Sequence, residues 1–433
     1  MRSIANAVLV LSLLAALAAR AHAGVLVVDG VGAAPGTYAT IQAAVDDAVA
    51  GDTVLIHVAA NTSAESVVVD GKAINLFIDT FDEQAVVKKF TVRNIPAGQV
   101  FSARGIQVVA PAGSEAMVFE DNPGTLRLYT VRAKGKLGQT VVTPGGPIRN
   151  GELGARFENC ADVMLNECGF GGGDGGTVNQ VIELEPSNGG TGAIIIDSVV
   201  AAFGTAFTGG DGGDVELLAN ESPGGNGGIG LVSTGSQVLC YGTGARGGPG
   251  GNAHSGGGGD GGTGLIQSGA GALHRHYLAP PTGGAGGDGF FGPVGDGAPG
   301  TDQVIEQGNV IAMSFTQTFA REMWTHTPVR EGEAIAMTVT GFNDDAWLLY
   351  SFDPGHQVFP EYQGALMLDP PLSDLIYLGE VPALAAFFTL GTVPELPPGF
   401  DVVEIHVQVV MRVSGTSYNL INPDHIVLLD SAY

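Results

Sequence analysis

Four segments of the chain repeat one pattern at nearly constant spacing, and this repeat constrains the fold more than any other feature. Each segment begins with a glycine, continues with short apolar runs and ends in a block of glycines. The segments begin at Gly154, Gly192, Gly230 and Gly264, with spacings of 38, 38 and 34 residues. Such a period is typical of solenoids, in which each unit buries its apolar face against the next.

The glycine blocks make each unit too long for one bare coil of roughly 20–30 residues. Between residues 171 and 300, 43 of 130 residues are Gly. We therefore interpret each unit as a coil plus a Gly-rich loop, with successive loops on one flank of the solenoid. The loops either pack side by side, because glycine has no Cβ and permits positive φ, or form a solvated fringe. The scarcity of serine and charged residues within the blocks favours packing.

Residues 38–58, YATIQAAVDDAVAGDTVLIHV, predict a short helix followed by a strand. Thr40 is placed as the N-cap. One face of the helix carries Ile41, Ala44, Val45 and Ala48. This stretch resembles the start of right-handed parallel β-helix proteins of the pectin-lyase-like superfamily, where such a helix covers the open end of the coil. The first loop departs from the family pattern G-x-Y-x-E, because only Glu65 fits it.

After about Thr301 the glycine blocks stop and longer alternating strands appear. Residues 404–413 alternate apolar and polar side chains, as a half-buried antiparallel strand does. Two pieces, at 364–370 and 419–422, resemble a C-terminal module of large secreted proteins of environmental bacteria, a resemblance that carries no known chemistry. Together these patterns predict an all-β chain, with a right-handed parallel β-helix with Gly-rich loops over residues 24–300 and a small antiparallel β-sandwich over 301–433.

The N-terminus has the three parts of a secretory signal peptide over residues 1–23. Arg2 precedes an apolar stretch, and Ala21-His22-Ala23 is an A-x-A cleavage site, so we expect a mature chain from Gly24 that is extracellular or periplasmic. No later stretch is long and apolar enough to span a bilayer. Cys160, Cys168 and Cys240 are an odd number, which excludes full internal pairing and favours buried thiols.

The formal net charge of −26 argues against nucleic acid as a partner, because phosphate binding needs clustered cations. The cations are unevenly placed, however. Arg132, Lys134 and Lys136 alternate, so on a strand they share one face. Such a stripe predicts binding of a uronate or sulfate by charge-assisted hydrogen bonds, and the alternative is a solvated face.

Acidic residues recur in the glycine blocks and are candidate calcium ligands. They are Asp174, Asp211, Asp214, Asp260 and Asp288. Residues 283–291 fit the calcium nonapeptide G-G-x-G-x-D-x-U-x once, whereas calcium rolls need tandem copies. Turn-forming Asp-Gly is the alternative, and no cofactor other than calcium is expected. His274 and His276 share a strand face but have no evident third zinc ligand.

The sequence favours a non-catalytic protein that binds or organises extracellular, anionic polysaccharide or another cell-surface component. A long solenoid offers the extended surface that a linear polymer needs, and Trp324, Trp347, Tyr350 and Tyr362 are candidates for a sugar-stacking platform or for core. A polysaccharide lyase or glycoside hydrolase is one alternative, since the fold hosts both, although the early coils contain no Asp-Asp pair. A structural surface or adhesion protein is another. The oligomeric state stays open.

Overall fold

The structure is a computed structural model. It describes residues 24–32, 36–57, 65–81, 83–111, 113–139, 149–178, 186–216, 222–254, 256–277, 279–289, 295–313, 321–352, 354–358, 365–369, 374–413 and 417–433.

In these residues the chain forms one helix, α1 (Ile41–Asp47), and strands β1 to β33. Strands β1 to β12 are Val25–Val28, Thr37–Tyr38, Thr53–Ile56, Ser66–Asp70, Asn75–Ile78, Ala85–Val87, Lys89–Arg93, Val100–Arg104, Ile106–Val109, Met117–Tyr129, Arg132–Lys134 and Ala155–Asn166. Strands β13 to β23 are Gly169–Gly171, Ala193–Ile196, Val199–Phe203, Ala206–Thr208, Leu231–Thr234, Gln237–Tyr241, Gly244–Arg246, Leu265–Ser268, Leu273–Tyr277, Gln303–Ile305 and Asn309–Met313. Strands β24 to β33 are Met323–Thr325, Val329–Arg330, Ala334–Thr340, Asp344–Ser351, Pro354–Val358, Ala365–Leu368, Asp374–Val381, Ala385–Thr392, Val402–Val413 and Ser417–Leu429.

Helix α1 begins after Thr40, whose side chain accepts a hydrogen bond from the Ala43 N–H at 3.2 Å. Its apolar face is buried, with Ile41, Ala44 and Val45 no more than 2% exposed. These residues join the same apolar core as the first strands. The helix therefore covers apolar side chains at the start of the strands.

The strands from β1 to β23 lie in three parallel stacks. Stack one contains β2, β1, β3, β5, β8, the second half of β10, the second half of β12, β15, β18, β21 and β23. Stack two contains β4, β7, the first halves of β10 and β12, β14, β17, β20 and β22. Stack three contains β6, β9, β11, β13, β16 and β19. The repeats that begin at Gly154, Gly192 and Gly230 each contribute one strand to each stack, in the order two, one, three. The repeat that begins at Gly264 adds β20 and β21 to stacks two and one, and its Thr282 forms a single bridge to Arg246 of stack three.

Each repeat has two small or turn-forming residues five and six positions after its first glycine, and in the structure these residues form the corner between stacks two and one. The first corner residue has a positive φ, as in Asn159 (53°), Asp197 (46°) and Gly235 (64°). In the first three repeats the next residue, Cys160, Ser198 or Ser236, carries a thiol or hydroxyl that points inside. The Ser198 Oγ accepts the N–H of Cys160 at 3.0 Å, and the Ser236 Oγ accepts the N–H of Ser198 at 3.1 Å. These side chains satisfy buried backbone donors that the strand pairing leaves unpaired.

The glycine blocks form two hydrogen-bonded layers beside stack three. Outgoing segments follow stack three at 172–176, 209–213, 247–251 and 283–287, and return segments precede stack two at 187–192, 224–230, 258–264 and 297–302. Within the outgoing layer, Gly172 N donates to Thr208 O at 2.8 Å and Gly175 N donates to Asp211 O at 2.6 Å. This period of three, with bonds to neighbouring segments, is that of packed polyproline II helices.

The two layers interlock through glycines that have no room for a side chain. Gly228 N donates to Gly210 O at 2.8 Å, and Gly248 N donates to Gly228 O at 2.9 Å. A Cβ on Gly228 would lie 1.9 Å from Gly190 O. None of the glycines in these segments has a positive φ. The missing Cβ, and not a left-handed backbone, is therefore what this packing requires.

The last repeat differs from the earlier ones at the end of the two layers. In earlier return segments the glycine at one fixed position donates its N–H to the next segment; these glycines are Gly189, Gly227 and Gly261. Pro299 occupies the equivalent position in the last segment and has no N–H. Asp302 and Asp296 accept the N–H groups of Gly283 (3.0 Å) and Gly289 (3.1 Å). Pro299, Asp296 and Asp302 therefore limit hydrogen bonding by a further segment at this edge of the layers.

The C-terminal strands form two main sheets around a second apolar core. One sheet has the order β24-β26-β31 and is antiparallel. The other has the order β25-β33-β32-β27-β30, antiparallel except for the parallel pair of β25 with β33. Both sheets contribute to the same core, for example through Met337 and Val409. A hairpin of β28 and β29 lies over part of the five-stranded sheet.

The five-stranded sheet docks on the outer face of stack one. Leu55 and Phe77 of the stack pack against Val402 and Val427 of the sheet. A second cluster, centred on Met367 of the hairpin, packs against Tyr129, Met164, Ala201 and Phe203. The stack and the hairpin therefore cover the polar face of β32 from Glu404 to Gln408, whereas Arg412 stays exposed. The expectation of a half-buried strand holds only at the Arg412 end, because docking covers the rest of the face that the sequence assigned to solvent.

The prediction of an all-β chain with parallel strands followed by a separate antiparallel sheet is confirmed. The three cysteines are buried and unpaired. Burial raises the pKa of the Cys168 and Cys240 thiols to about 12. Among the described residues, no helical segment has the length and apolar character needed to cross a bilayer. The signal-peptide prediction concerns residues 1–23, which lie outside the described part.

Candidate polysaccharide-binding groove

A shallow groove of about 560 Å³ runs across the outer face of stack three. Its floor contains Gly169 and Gly171 of β13, and because glycine has no side chain, the backbone itself forms the surface there. Arg132 and Lys134 of β11 line one end, and Arg246 of β19 lines the other. The register places Lys134, Gly171, Thr208 and Arg246 in one row across four strands. Three strand spacings separate the cations at the two ends, about 14 Å.

Two carboxylates partly offset the positive charge of the groove. The Lys134 Nζ lies 2.8 Å from the Asp174 Oδ2, in an exposed pair of the kind that contributes little to stability. Asp211 lines the groove between Lys134 and Arg246. Partial burial and then the nearby Asp174 carboxylate raise the pKa of Asp211, against the lowering effects of Lys134 and Arg246. Three cations and two acids thus leave the groove with a small positive excess.

The structure brings together two of the three residues in the predicted cationic stripe. Arg132 and Lys134 are exposed on one strand and line the groove. Strand β11 ends at Lys134, so Lys136 lies in the following extended segment, where its carbonyl accepts the Glu152 N–H at 2.9 Å. Sequence reasoning missed Arg246. It lies in the same row as Lys134 only because the four strands β11, β13, β16 and β19 pair in succession.

No known protein family, curated protein or solved structure matches the chain. The chemistry of the groove must therefore be argued from its own residues. A guanidinium offers several donors in a fixed planar fork and suits carboxylate or sulfate groups. Glycines let a polymer approach the backbone closely. The arrangement can hold an extended, negatively charged chain.

The candidate calcium ligands fall into separate rows of the glycine layers, where the side chains of Asp174, Asp214 and Asp260 accept backbone hydrogen bonds. The Asp174 Oδ1 accepts the Asp211 N–H at 3.2 Å, and the Asp214 Oδ1 accepts the Asn252 N–H at 2.7 Å. Asp214 and Asp288 line a second depression of about 330 Å³. In the residues that the structure covers, no three His, Cys, Asp or Glu side chains are grouped as a metal site. Calcium binding by these residues stays a prediction.

Asn and Asp in the return layer have the same structural role. The Asn188 Oδ1 accepts the Asn226 N–H at 2.9 Å, and the Asn226 Oδ1 accepts the Asp260 N–H at 3.0 Å. The Asp260 Oδ1 in turn accepts the Ala298 N–H at 2.9 Å. Each side chain satisfies a donor in the next repeat, which explains why Asn or Asp recurs after Gly-Gly.

A buried polar cluster lies between stack one and the C-terminal sheet. Arg104 and Asp424, each 2% exposed, form an ion pair, and Asp424 also accepts the Thr325 N–H at 2.8 Å. Burial raises the pKa of Asp424, but the Arg104 charge, the interactions with His425 and the hydrogen bond from the Thr325 N–H together outweigh it, and the net shift is downward. Burial lowers the pKa of His425 to about 4, and Arg104 adds to that effect. The docked sheet covers this arginine.

The two histidines of β21, a strand of stack one, point into the interior. His274 and His276 are 1% and 6% exposed, with ring centroids 5.8 Å apart. Burial, followed by the neighbouring His276, lowers the pKa of His274 to about 3, so both the geometry and the charge state are those of a neutral interior pair. His254 lies elsewhere, in the second depression.

Proposed function

We propose that the parallel stacks form a right-handed parallel β-helix of the pectin-lyase-like kind, exported after cleavage near Ala23, and that the C-terminal sheets form a β-sandwich. The three-stack order and the helix α1 at its start support the β-helix. A right-handed course is the strong preference for parallel strand connections. The common core of the two C-terminal sheets supports the sandwich.

We propose that this protein binds an anionic extracellular polysaccharide in the groove of stack three without cleaving it. The observation that carries the proposal is the glycine-floored row with cations at both ends, Lys134 and Arg246. A chain of uronate or sulfated sugars laid along the stacking direction would meet a positive group at each end and, between them, Gly171, Thr208 and the Asp211 carboxylate. The edge-capped glycine layers beside the groove would hold these groups on a rigid support.

Affinity electrophoresis against polygalacturonate, alginate, hyaluronate and chondroitin sulfate tests the proposal. We expect retention on at least one of them, weakening as salt rises, because exposed charges act through a screened field. Ultraviolet absorbance should show no unsaturated product. Product formation would instead establish a lyase, and no retention on any of the four polymers would contradict the proposal and favour a structural surface role.

Substitution at both ends of the groove locates the site. Arg132→Ala with Lys134→Ala and Arg246→Ala should weaken binding about tenfold or more and flatten its salt dependence, because charge-assisted contacts are lost. Adding Lys136→Ala should change little, since Lys136 lies beyond the strand. Arg93→Ala removes an exposed, ion-paired cation from stack two and serves as the control. If the groove variant binds as well as the wild type, the binding site lies elsewhere.

A further inference from the structure

The five-stranded sheet carries a cluster of aromatic side chains on the face that docks on stack one, but beyond the docked part. Along β32 this face runs from Val402 and Glu404 at the stack, past Gln408 under the hairpin, to Arg412. At the Arg412 end the surface is formed by Tyr377, which is exposed, and by Trp347 and Tyr418, which are half-buried. We call Trp347, Tyr377, Tyr418, Asp345 and Arg412 the aromatic platform.

Strand register builds the platform. Trp347 of β27 pairs with Tyr377 of β30, and Arg412 of β32 pairs with both Asp345 of β27 and Tyr418 of β33. The Trp347 ring centroid lies 5.4 Å from that of Tyr377 and 6.4 Å from that of Tyr418. Tyr377 is 58% exposed, which is unusual for a large aromatic residue that serves only packing.

Polar groups fix the rings and remain available at the surface. The Tyr377 hydroxyl donates to the Asp345 Oδ1 at 2.7 Å, and Asp345 also pairs with Arg412. The Arg412 guanidinium lies over the Trp347 ring, 5.8 Å from its centroid, as a cation–π contact. The hydrogen bond from Tyr377 lowers the pKa of Asp345, with Arg412 adding to the effect, so the carboxylate is charged at neutral pH.

We propose that the aromatic platform is a second binding site, which takes the pyranose rings of a neutral polysaccharide. The C–H bonds on one face of a pyranose meet the negative face of an aromatic ring, and the sugar hydroxyls meet the carboxylate and guanidinium at its edge. The Asp345–Arg412 pair has no net charge, so the platform does not select a charged polymer. It therefore differs in ligand class from the groove of stack three and does not depend on it.

The surroundings favour a sugar over a protein partner. Leu349 and Leu420 on the same face are already covered by Leu366 and Leu368 of the hairpin. What stays open is Leu375 and a small group of rings mixed with charged atoms and hydroxyls. Specific protein interfaces usually bury about 800 Å² on each side around a desolvated centre, which a patch of this size and polarity does not offer.

Tryptophan fluorescence of the full chain tests the platform, because the protein contains only Trp324 and Trp347. Hexasaccharides of glucose, xylose, mannose and N-acetylglucosamine serve as probes. We expect at least one to change the emission in a saturable way that salt does not weaken. The change should disappear in Trp347→Phe and persist in Arg132→Ala with Lys134→Ala.

Variants of the exposed ring separate binding from folding. Tyr377→Ala should weaken binding of the active hexasaccharide about tenfold or more, whereas Tyr377→Phe keeps the ring and should retain most of it. Phe387→Ala removes a comparably exposed aromatic residue, 63% exposed, from the three-stranded sheet and should leave binding unchanged.

Three results would overturn the proposal: no response to any of the four sugars, equal binding by Tyr377→Ala, or a dimer of the wild type that Tyr377→Ala converts to monomer. The last result would identify the platform as an interface between two copies. Loss of anionic polymer binding in the groove variants leaves the platform untouched, so the two proposals fail independently.

Discussion

Glu167 occupies a backbone position whose equivalents in the next two repeats are Gly204 and Gly242. All three have positive φ, and at Glu167 the value is 53°. A non-glycine residue in this region costs about 1–2 kcal/mol. The Glu167 Oε1 is also buried without a hydrogen-bond partner in the part of the chain that the structure covers. Burial, followed by the charges of Asp424 and Glu322, raises the pKa of Glu167 to about 8.

This raised pKa predicts that the folding stability depends on pH. The folded chain binds a proton at Glu167 up to about pH 8, whereas the unfolded chain releases it near the ordinary value of 4.5. At Glu167 the folded state therefore holds more protons in this window, and this group makes stability fall as pH rises, by at most about 1.4 kcal/mol per unit. Burial lowers the pKa of His274 and His425, which acts in the opposite direction below about pH 6.5, so the fall is expected between about pH 6.5 and 8. Urea unfolding at several pH values measures the slope.

Glu167→Gln should flatten that slope, because glutamine cannot lose the proton. Part of the slope should persist, since burial also raises the pKa of Glu322. Glu306→Gln changes an exposed carboxylate and serves as the control. Parallel pH profiles for wild type and Glu167→Gln would show that Glu167 is ionised in the folded protein.

Local pattern alone predicts some functional residues and not others. The alternation of Arg132 and Lys134 places both on one strand face, which the structure shows. Arg246 joins them only because parallel pairing carries the row across β13 and β16. Trp347 was a candidate for sugar stacking, but its partners Tyr377 and Tyr418 come from antiparallel strands whose register local spacing does not reveal. Tyr350 is 1% exposed and belongs to the core, Trp324 is not part of the platform, and Tyr362 lies outside the described residues.

At the scale of elements, the Gly-Gly-x triplets determine how the two glycine layers pack. Two of every three residues face neighbouring segments at distances that exclude a Cβ, and the third points outward. The repeat length predicts that loops stack, but the bonding between layers follows from the three-residue period inside each block. That period matches a polyproline II helix, which forms no internal hydrogen bonds and so depends on its neighbours.

A pair of glycine substitutions tests this packing. In Gly228→Ala the new Cβ would lie 1.9 Å from Gly190 O, and the backbone cannot yield without breaking bonds between the layers. We expect a loss of at least about 3 kcal/mol in the free energy of unfolding. Gly244→Ala, on β19, meets nothing within 4 Å and should stay near wild type. Urea unfolding followed by circular dichroism compares them, and equal stability would mean that the layers are not packed as described.

At the scale of the whole molecule, the docking of the five-stranded sheet on stack one combines two apolar clusters with the buried Arg104–Asp424 pair between them. The apolar clusters supply contact area, and the ion pair fixes the relative position, because each charge has its partner only in the docked arrangement. The sequence predicts two units but not their contact. Ser102 and Arg104 read as ordinary polar positions on a strand, and Asp424 follows them by more than 300 residues.

Neutralising one partner of this ion pair should be costly, and the chain contains an exposed pair for comparison. Asp424→Asn leaves the Arg104 guanidinium buried without its counter-charge, which predicts a loss of about 3–5 kcal/mol. Asp345→Asn breaks the pair with Arg412, whose side chain is 47% exposed, and predicts about 0–1 kcal/mol because water screens the freed charge. Urea unfolding of both variants gives the difference. Similar losses would show that Arg104 reaches water, and that the sheet does not close over stack one.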